Sequence, residues 1–282
     1  MSCPAEPGAP RYGTVLSPGK LLLLGEYAVI DGGEAIVAAV DRGVRCDVTP
    51  GSGHTTPGDD RFVRAALVGA PTAHYAFSDA NPVVGIDGKP GFGGSAAATV
   101  AACVAAGHTL DDALAAHHAV QGGGSGLDVK ASWWGGVHHA SGAPGAAPPL
   151  VAVWSGRSAQ TGPRVRQFLG WDAAARAEFR ARSDAAVVRF AAEPVAALRD
   201  AYANLRNMAA AVGLDYDLPV FAAIDALARA HGGAAKPSGA GGGDIAVALF
   251  PDEGARTAFV GAAHAAGLFP IEVTIAPPAG WV

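Results

Sequence analysis

Lys236-Pro-Ser-Gly-Ala-Gly-Gly-Gly-Asp244 runs directly into Ile245-Ala-Val-Ala-Leu-Phe250, a polar, glycine-dense loop followed by an apolar, strand-like run. Glycine admits positive φ and removes the side chain that would hold a ligand away from the backbone. Successive exposed N–H groups in such a loop form a concavity for anions. A tight surface turn would use the same residues, so the loop is informative only in company. Two further glycine-rich stretches supply it: Gly91-Phe-Gly-Gly-Ser-Ala96 and Gly122-Gly-Gly-Ser-Gly-Leu-Asp128. Three such loops in one chain point to several backbone segments converging on an anionic ligand.

The 282 residues are half hydrophobic, enough for one large domain or two small ones. A formal net charge of −5 with 16% charged residues argues against a nucleic-acid partner, which demands a basic face. Cys3, Cys46 and Cys103 are odd in number and irregularly spaced, so no disulfide frame or zinc pattern follows, and a reducing cytoplasm is expected. Residues 1–12 lack the apolar core of a signal peptide. The longest apolar run, 96–106, is too short to cross a bilayer, so no membrane association is expected. Nothing sets the oligomeric state, and a homodimer is left open.

Working outward from the loops, residues 13–50 read as a β layer: 15–16, leading through Ser17-Pro18-Gly19-Lys20 to 21–24, then 35–40 and 44–48, with a turn at Asp31-Gly32-Gly33. Lys20 falls within this layer, where a strand-edge lysine that discourages aggregation would also sit. Short strands are predicted at 62–67, 73–77 and 83–86. The alanine-rich run to Ala106 predicts a helix opened by the glycine loop before it, a ready phosphate site. Ser95 at its start could cap the helix, or offer its hydroxyl to a phosphate or metal. Thr109 and Asp112 are spaced as a capping box for a helix carrying His117 and His118. Adjacent histidines cannot share one helical face, which excludes a two-histidine metal clamp. Asp128 is either a dipole-stabilised helix-start acid or a carboxylate beside a phosphate site. A boundary near 148 is expected, giving domains 1–148 and 149–282. In the second half a strand at 150–154, helices over 172–231, a strand after the glycine loop, a helix at 252–266 and a strand at 271–275 predict an α+β layer.

In their order and spacing these segments resemble the GHMP kinase superfamily, which includes galactokinase, homoserine kinase, mevalonate kinase and phosphomevalonate kinase. Ser17-Pro-Gly-Lys-Leu-Leu-Leu-Leu-Gly-Glu26 is similar to its first motif, Lys89-Pro-Gly-Phe-Gly-Gly-Ser-Ala-Ala97 to its second and Lys236 to Asp244 to its third. The resemblance covers most of the chain. It implies an α+β fold of two domains, ribosomal-S5-like then ferredoxin-like, with nucleotide and acceptor meeting between them. Gly25-Glu26-Tyr27-Ala28-Val29, the 116–129 segment and Trp154-Ser-Gly-Arg-Ser-Ala-Gln-Thr161 lean towards the phosphomevalonate kinase branch. Mevalonate kinases usually carry His at the position of Tyr27, a metal-binding Glu at that of His117 and Gly at that of Asp244.

The resemblance implies transfer of the ATP γ-phosphoryl to mevalonate 5-phosphate. Lys20 and Asp128 would be catalytic. Lys89, Pro90, Gly91, Phe92, Gly93, Gly94, Ser95 and Ala96 would bind the nucleotide. Tyr27, Ser125, Gly126, Arg157, Lys236, Ser238, Gly239, Ala240 and Gly241 would face the phosphorylated small-molecule acceptor. Two departures bear on Mg2+: Gly94 replaces a common loop serine and His117 replaces the metal carboxylate. Ser95, the nucleotide phosphates and water are left to hold the ion. Three rivals stand beside this reading. A mevalonate kinase or other superfamily kinase would phosphorylate a hydroxyl instead. A dinucleotide oxidoreductase would match Gly-x-Gly-x-x-Ala at 91–96, but the acids about twenty residues on, Asp111 and Asp112, open a helix rather than end a strand. A non-catalytic homologue would not need Lys20 and Asp128.

Overall fold

The computed structural model describes residues 9–86, 89–159 and 161–282. Of the sequence expectations, those concerning residues 1–8 (Cys3 among them) and Gln160 lie outside the described residues.

The first sheet is built on β1 (Gly13–Leu24) and β2 (Ile36–Thr49), joined by a short 3-10 turn at Ala28–Asp31. β3 (Gly53–Thr55), β4 (His74–Ala80) and β5 (Val137–His139) extend it. The runs expected at 15–16 and 21–24 form one strand, β1, with a register shift between Ser17 and Gly19. Pro18, which has no N–H to donate, sits in that irregularity. Four helices cover one face: α1 (Arg61–Ala66), α2 (Gly94–Ala106), α3 (Leu110–Gln121) and α4 (Leu127–Trp134). The expected strand at 62–67 is thus helix α1, because Val63 and Ala66, three apart, bury one helical face. The expected strand at 83–86 is irregular, with Val84 83% exposed. The capping box is present: Asp112 accepts from the Thr109 N–H at 2.8 Å while Thr109 Oγ1 accepts from the Asp112 N–H. α2 is buried on nearly all sides, and its alanines let β1, β2, α1, α3 and α4 approach it closely.

The second sheet contains β6 (Leu150–Trp154), β7 (Ala234–Pro237), β8 (Ile245–Leu249) and β9 (Phe269–Ile271). Its order is β7-β8-β6-β9, antiparallel throughout. Four helices separate β6 from β7: α5 (Thr161–Leu169), α6 (Ala173–Arg189), α7 (Pro194–Val212) and α8 (Pro219–Ala230). α9 (Glu253–Ala265) lies between β8 and β9. With α5–α8 taken as one crossover this is the split β-α-β arrangement of ferredoxin-like layers. The breaks before α7 and α8 fall at Pro194 and Pro219, where a missing N–H at a helix start costs nothing. α5 was not foreseen.

β6 and β8 are buried on both faces. One face, with Ala152, Trp154, Ile245 and Val247, packs on Leu21, Leu23 and Leu24 of β1 and on α6 and α7. The other, with Val151, Val153, Ala246 and Ala248, packs on Phe221 and Phe259. The two sheets therefore share one core. The expected closing strand at 271–275 ends at Ile271. The chain then returns to the first sheet: Ile275 bridges Val40, and β10 (Gly280–Trp281) pairs with β1. The domain expected over 149–282 thus gives its last residues to the other sheet. Cys46 and Cys103 are free and buried, and burial pushes both thiols up to about 12. Among the described residues no helix is long and apolar enough to cross a membrane.

Candidate active site

The β1 irregularity delivers Lys20 to the 89–95 loop. A Cβ on Gly19 would lie 1.8 Å from the Arg42 carbonyl oxygen and 2.7 Å from that of Phe92, so only glycine fits. The Lys20 N–H then donates to the Phe92 carbonyl at 2.8 Å. Phe92 itself is buried in the shared core and anchors the loop. The Lys20 stem runs over Gly93, with Cγ 3.0 Å and Cε 3.2 Å from where a Cβ would stand. Gly93, at φ 76°, is the N-cap of α2. The first-turn N–H groups of α2 have no intrahelical partner and lie at the positive end of its dipole, and that turn holds no acidic side chain. This arrangement is suited to an anion. Gly94 is open, while Ala96 is buried beneath the turn and offers only its backbone.

The 238–244 loop is the turn of the β7–β8 hairpin, and its last residue reaches the 89–95 loop. A Cβ on Gly91 would come within 2.6 Å of Asp244 Cβ and 2.9 Å of Cγ. Asp244 takes φ 59°, and its Oδ1 accepts from the Ala159 N–H at 3.0 Å. Burial raises its pKa, while that hydrogen bond and the charge of Lys20 pull it back. Lys89 is exposed, and its carbonyl accepts from Ser158 Oγ at 3.2 Å. Lys20, the 89–95 loop, residues 157–159 and Asp244 therefore meet in one place.

Asp128 lies in the first turn of α4, which packs against β1 and α2, and its Oδ1 accepts from the Val129 N–H at 3.0 Å. His117, buried beneath this region, has its pKa lowered by burial and raised in part by Asp128. Its Nε2 lies 3.5 Å from Ser95 Oγ, so Ser95, His117 and Asp128 share a neighbourhood. No group of three His, Cys, Asp or Glu among the described residues is placed to hold a metal. A hydroxyl beside a phosphate cradle suits Mg2+ carried in by a nucleotide, since that ion keeps water and phosphate ligands.

The expected acceptor residues divide. Lys236 is fully buried in an ion pair with Glu26, and its Nζ also donates to the Pro237 carbonyl at 3.1 Å. Burial pushes its pKa down and that of Glu26 up, and each is drawn back by the other. Ser238 Oγ accepts from the Leu22 N–H at 2.9 Å and donates to the Leu22 carbonyl at 3.2 Å. These are corrections: both side chains clamp β7 to β1 and are not free to hold an acceptor phosphate. Gly241 is a third correction, since it is buried where a Cβ would strike the Tyr216 ring at 2.2 Å. Tyr27 is buried at φ 61°, donates to the Ala240 carbonyl at 2.6 Å and has its pKa raised by desolvation. Gly126 caps α4 against Leu114 and His118, and exposed Ser125 accepts from the Leu127 N–H at 3.4 Å. Gly239, Ala240, Ser125 and Arg157 remain open to a ligand. Glu26, Asp244 and Arg164 were not among the expected site residues, although the first two lie within the quoted motifs.

Residues 191–267 match the family described as GHMP kinases C terminal. A phosphomevalonate kinase of Streptomyces sp. (strain CL190) is 28% identical over 342 aligned positions, covering 85% of this chain and 90% of that protein. L. major mevalonate kinase, solved with R-mevalonate, shares the fold at TM-score 0.73 and 22% identity, over 98% of this chain and 99% of that one. Streptococcus pneumoniae phosphomevalonate kinase, solved with phosphomevalonate and AMPPNP, does so at TM-score 0.73 and 15% identity, over 93% and 99%. The chain therefore has the fold of the GHMP kinases, and its 191–267 segment matches the C-terminal family of those enzymes.

Proposed function

We propose that the protein transfers the γ-phosphoryl of MgATP to the 5-phosphate of mevalonate 5-phosphate, giving ADP and mevalonate 5-diphosphate. The observation that carries the reading is the convergence of Lys20, the Gly91–Gly93 turn and Asp244 at the start of α2. The 28% identity to the Streptomyces enzyme supports the choice of acceptor.

In this reading the bond from the γ-phosphorus to the β,γ-bridging oxygen breaks, and one forms to an acceptor phosphate oxygen. ADP leaves with the electron pair. Such transfers depend on positioning and charge stabilisation. The first turn of α2 holds the phosphates, and Lys20 offsets charge on the transferred group. A phosphate acceptor is already largely ionised at neutral pH, its second pKa being about 6. Asp128 therefore takes a residual proton or orients Lys20, rather than generating an alkoxide. The cytoplasm, where ATP is plentiful, is the proposed compartment.

The two solved relatives have equal TM-scores, so the fold does not separate a phosphate acceptor from a hydroxyl acceptor. ADP release measured with mevalonate 5-phosphate and with mevalonate, each alone, decides. Turnover confined to the phosphorylated compound supports the proposal. Preference for mevalonate replaces it with a hydroxyl kinase, and no ADP with either sinks the assignment of acceptor.

A further inference from the structure

With Lys236 and Ser238 committed to the packing of β7 on β1, the acceptor's anionic groups need another partner. Two guanidinium groups converge on the third glycine loop from outside it. Arg157 Nε donates to the Gly242 carbonyl at 3.0 Å, and its Nη2 lies 3.2 Å from Asp215 Oδ2. Arg164, in the first half of α5, lies against the other side of the same residue. A Cβ on Gly242 would stand 1.8 Å from Arg164 Nη2 and 2.3 Å from its Cζ, so the guanidinium occupies the space that a side chain would fill.

Arg164 is half-buried and uses one donor, Nη1, on the Asp215 carbonyl at 2.6 Å. No carboxylate among the described residues pairs with it; Asp215 is salt-bridged to Arg157. Its charge is felt by Tyr27, whose hydroxyl is bonded to Ala240 of the same loop. Two cations therefore face one exposed carboxylate beside Gly242, which stands two residues before Asp244. A planar guanidinium with unused donors is suited to grip a carboxylate or phosphate by two hydrogen bonds.

We propose that Arg164, together with Arg157, is the binding site for an anionic group of the acceptor, a carboxylate or a phosphomonoester. This rests on the kinase reading above. The competing account is a strut: Arg164 props Gly242 and Asp215 and touches no ligand. A strut would disturb the loop, and with it Asp244 and the nucleotide.

Dissociation constants measured by calorimetry on Arg164→Ala, Arg164→Lys and Arg157→Ala separate the two. The ligands are mevalonate 5-phosphate, mevalonate and AMPPNP. Loss of a charge-assisted bidentate contact weakens binding by about tenfold or more. The expected result is that loss for the acceptor in Arg164→Ala, partial rescue by Lys, and AMPPNP affinity within about twofold of wild type, which also reports an intact fold. Weakening of both acceptors assigns the carboxylate, and weakening of the phosphorylated one alone assigns the phosphate. Unchanged acceptor affinity, or equal losses for acceptor and AMPPNP, overturns the proposal. A wild-type protein that binds neither acceptor overturns the function proposed above, and this site with it.

Discussion

Glu26 and Lys236 form an ion pair with side chains only 1% and 0% exposed, and the pair fastens the end of the first motif to the start of the third. It is flanked by the Ser238 clamp on Leu22 and by the Gly239 N–H, 3.4 Å from Glu26 Oε1. Removing one member of a buried pair strands the other charge, at a cost of about 3–5 kcal/mol. Lys236→Met should therefore lower the melting temperature by on the order of 10 °C. The double variant Glu26→Gln, Lys236→Met should recover much of that loss. Thermal unfolding of the three proteins tests it, and a double variant no better than the single one would refute the account.

The glycines of the 91–94 turn are not equivalent. Gly91 has φ 90° and no room for a methyl beside Asp244, whereas Gly94 has nothing within 4 Å of an added Cβ. Gly91→Ala should raise the KM for ATP by roughly tenfold or more, the effect expected when a positioned phosphate cradle is displaced. Gly94→Ala should stay within about twofold. Equal effects at the two positions would contradict this geometry.

Lys20→Met should lower kcat by roughly a hundredfold, as loss of one preorganised charge partner does elsewhere. AMPPNP should still bind, because the first turn of α2 is untouched. Asp128→Asn should also cut turnover while nucleotide binding persists. Near-normal kcat in either variant removes that residue from the mechanism.

Asp244 gives a pH test. Burial raises its folded pKa above the ordinary value, so the folded protein holds the proton more tightly than the unfolded chain. Its contribution to stability is then fully present below the ordinary carboxylate pKa of about 4 and lost as pH rises through the folded value. Asp244→Asn keeps an acceptor for the Ala159 N–H, and asparagine tolerates φ 59°. The variant should melt above wild type at pH 7–8, and the gap should close as pH approaches 4. A variant that melts below wild type at neutral pH would show that the charge pair with Lys20 outweighs desolvation.

Much of the frame was readable from local chemistry. Thr109 and Asp112 cap their helix as spaced, Pro194 and Pro219 open theirs, and the alanine run is α2. The misread segments were short ones. Residues 62–67 carry too few turns for a period to separate helix from strand, and 83–86 are apolar without pairing. The turn at 91–95 was legible because glycine marks its own backbone geometry, at Gly91 φ 90° and Gly93 φ 76°. The placement of Lys236 and Arg164 was not legible, because a polar side chain in sequence does not say which element will reach it.

Sequence alone determined that three glycine-dense loops exist, in this order, each joined to a strand or helix able to hold it, because φ freedom and periodicity are local properties. Only tertiary structure decided what fills the space each missing side chain leaves. Asp244 stands at Gly91, Lys20 at Gly93, Tyr216 at Gly241 and Arg164 at Gly242. Glycine records that something must come close; the packing of distant elements selects what comes.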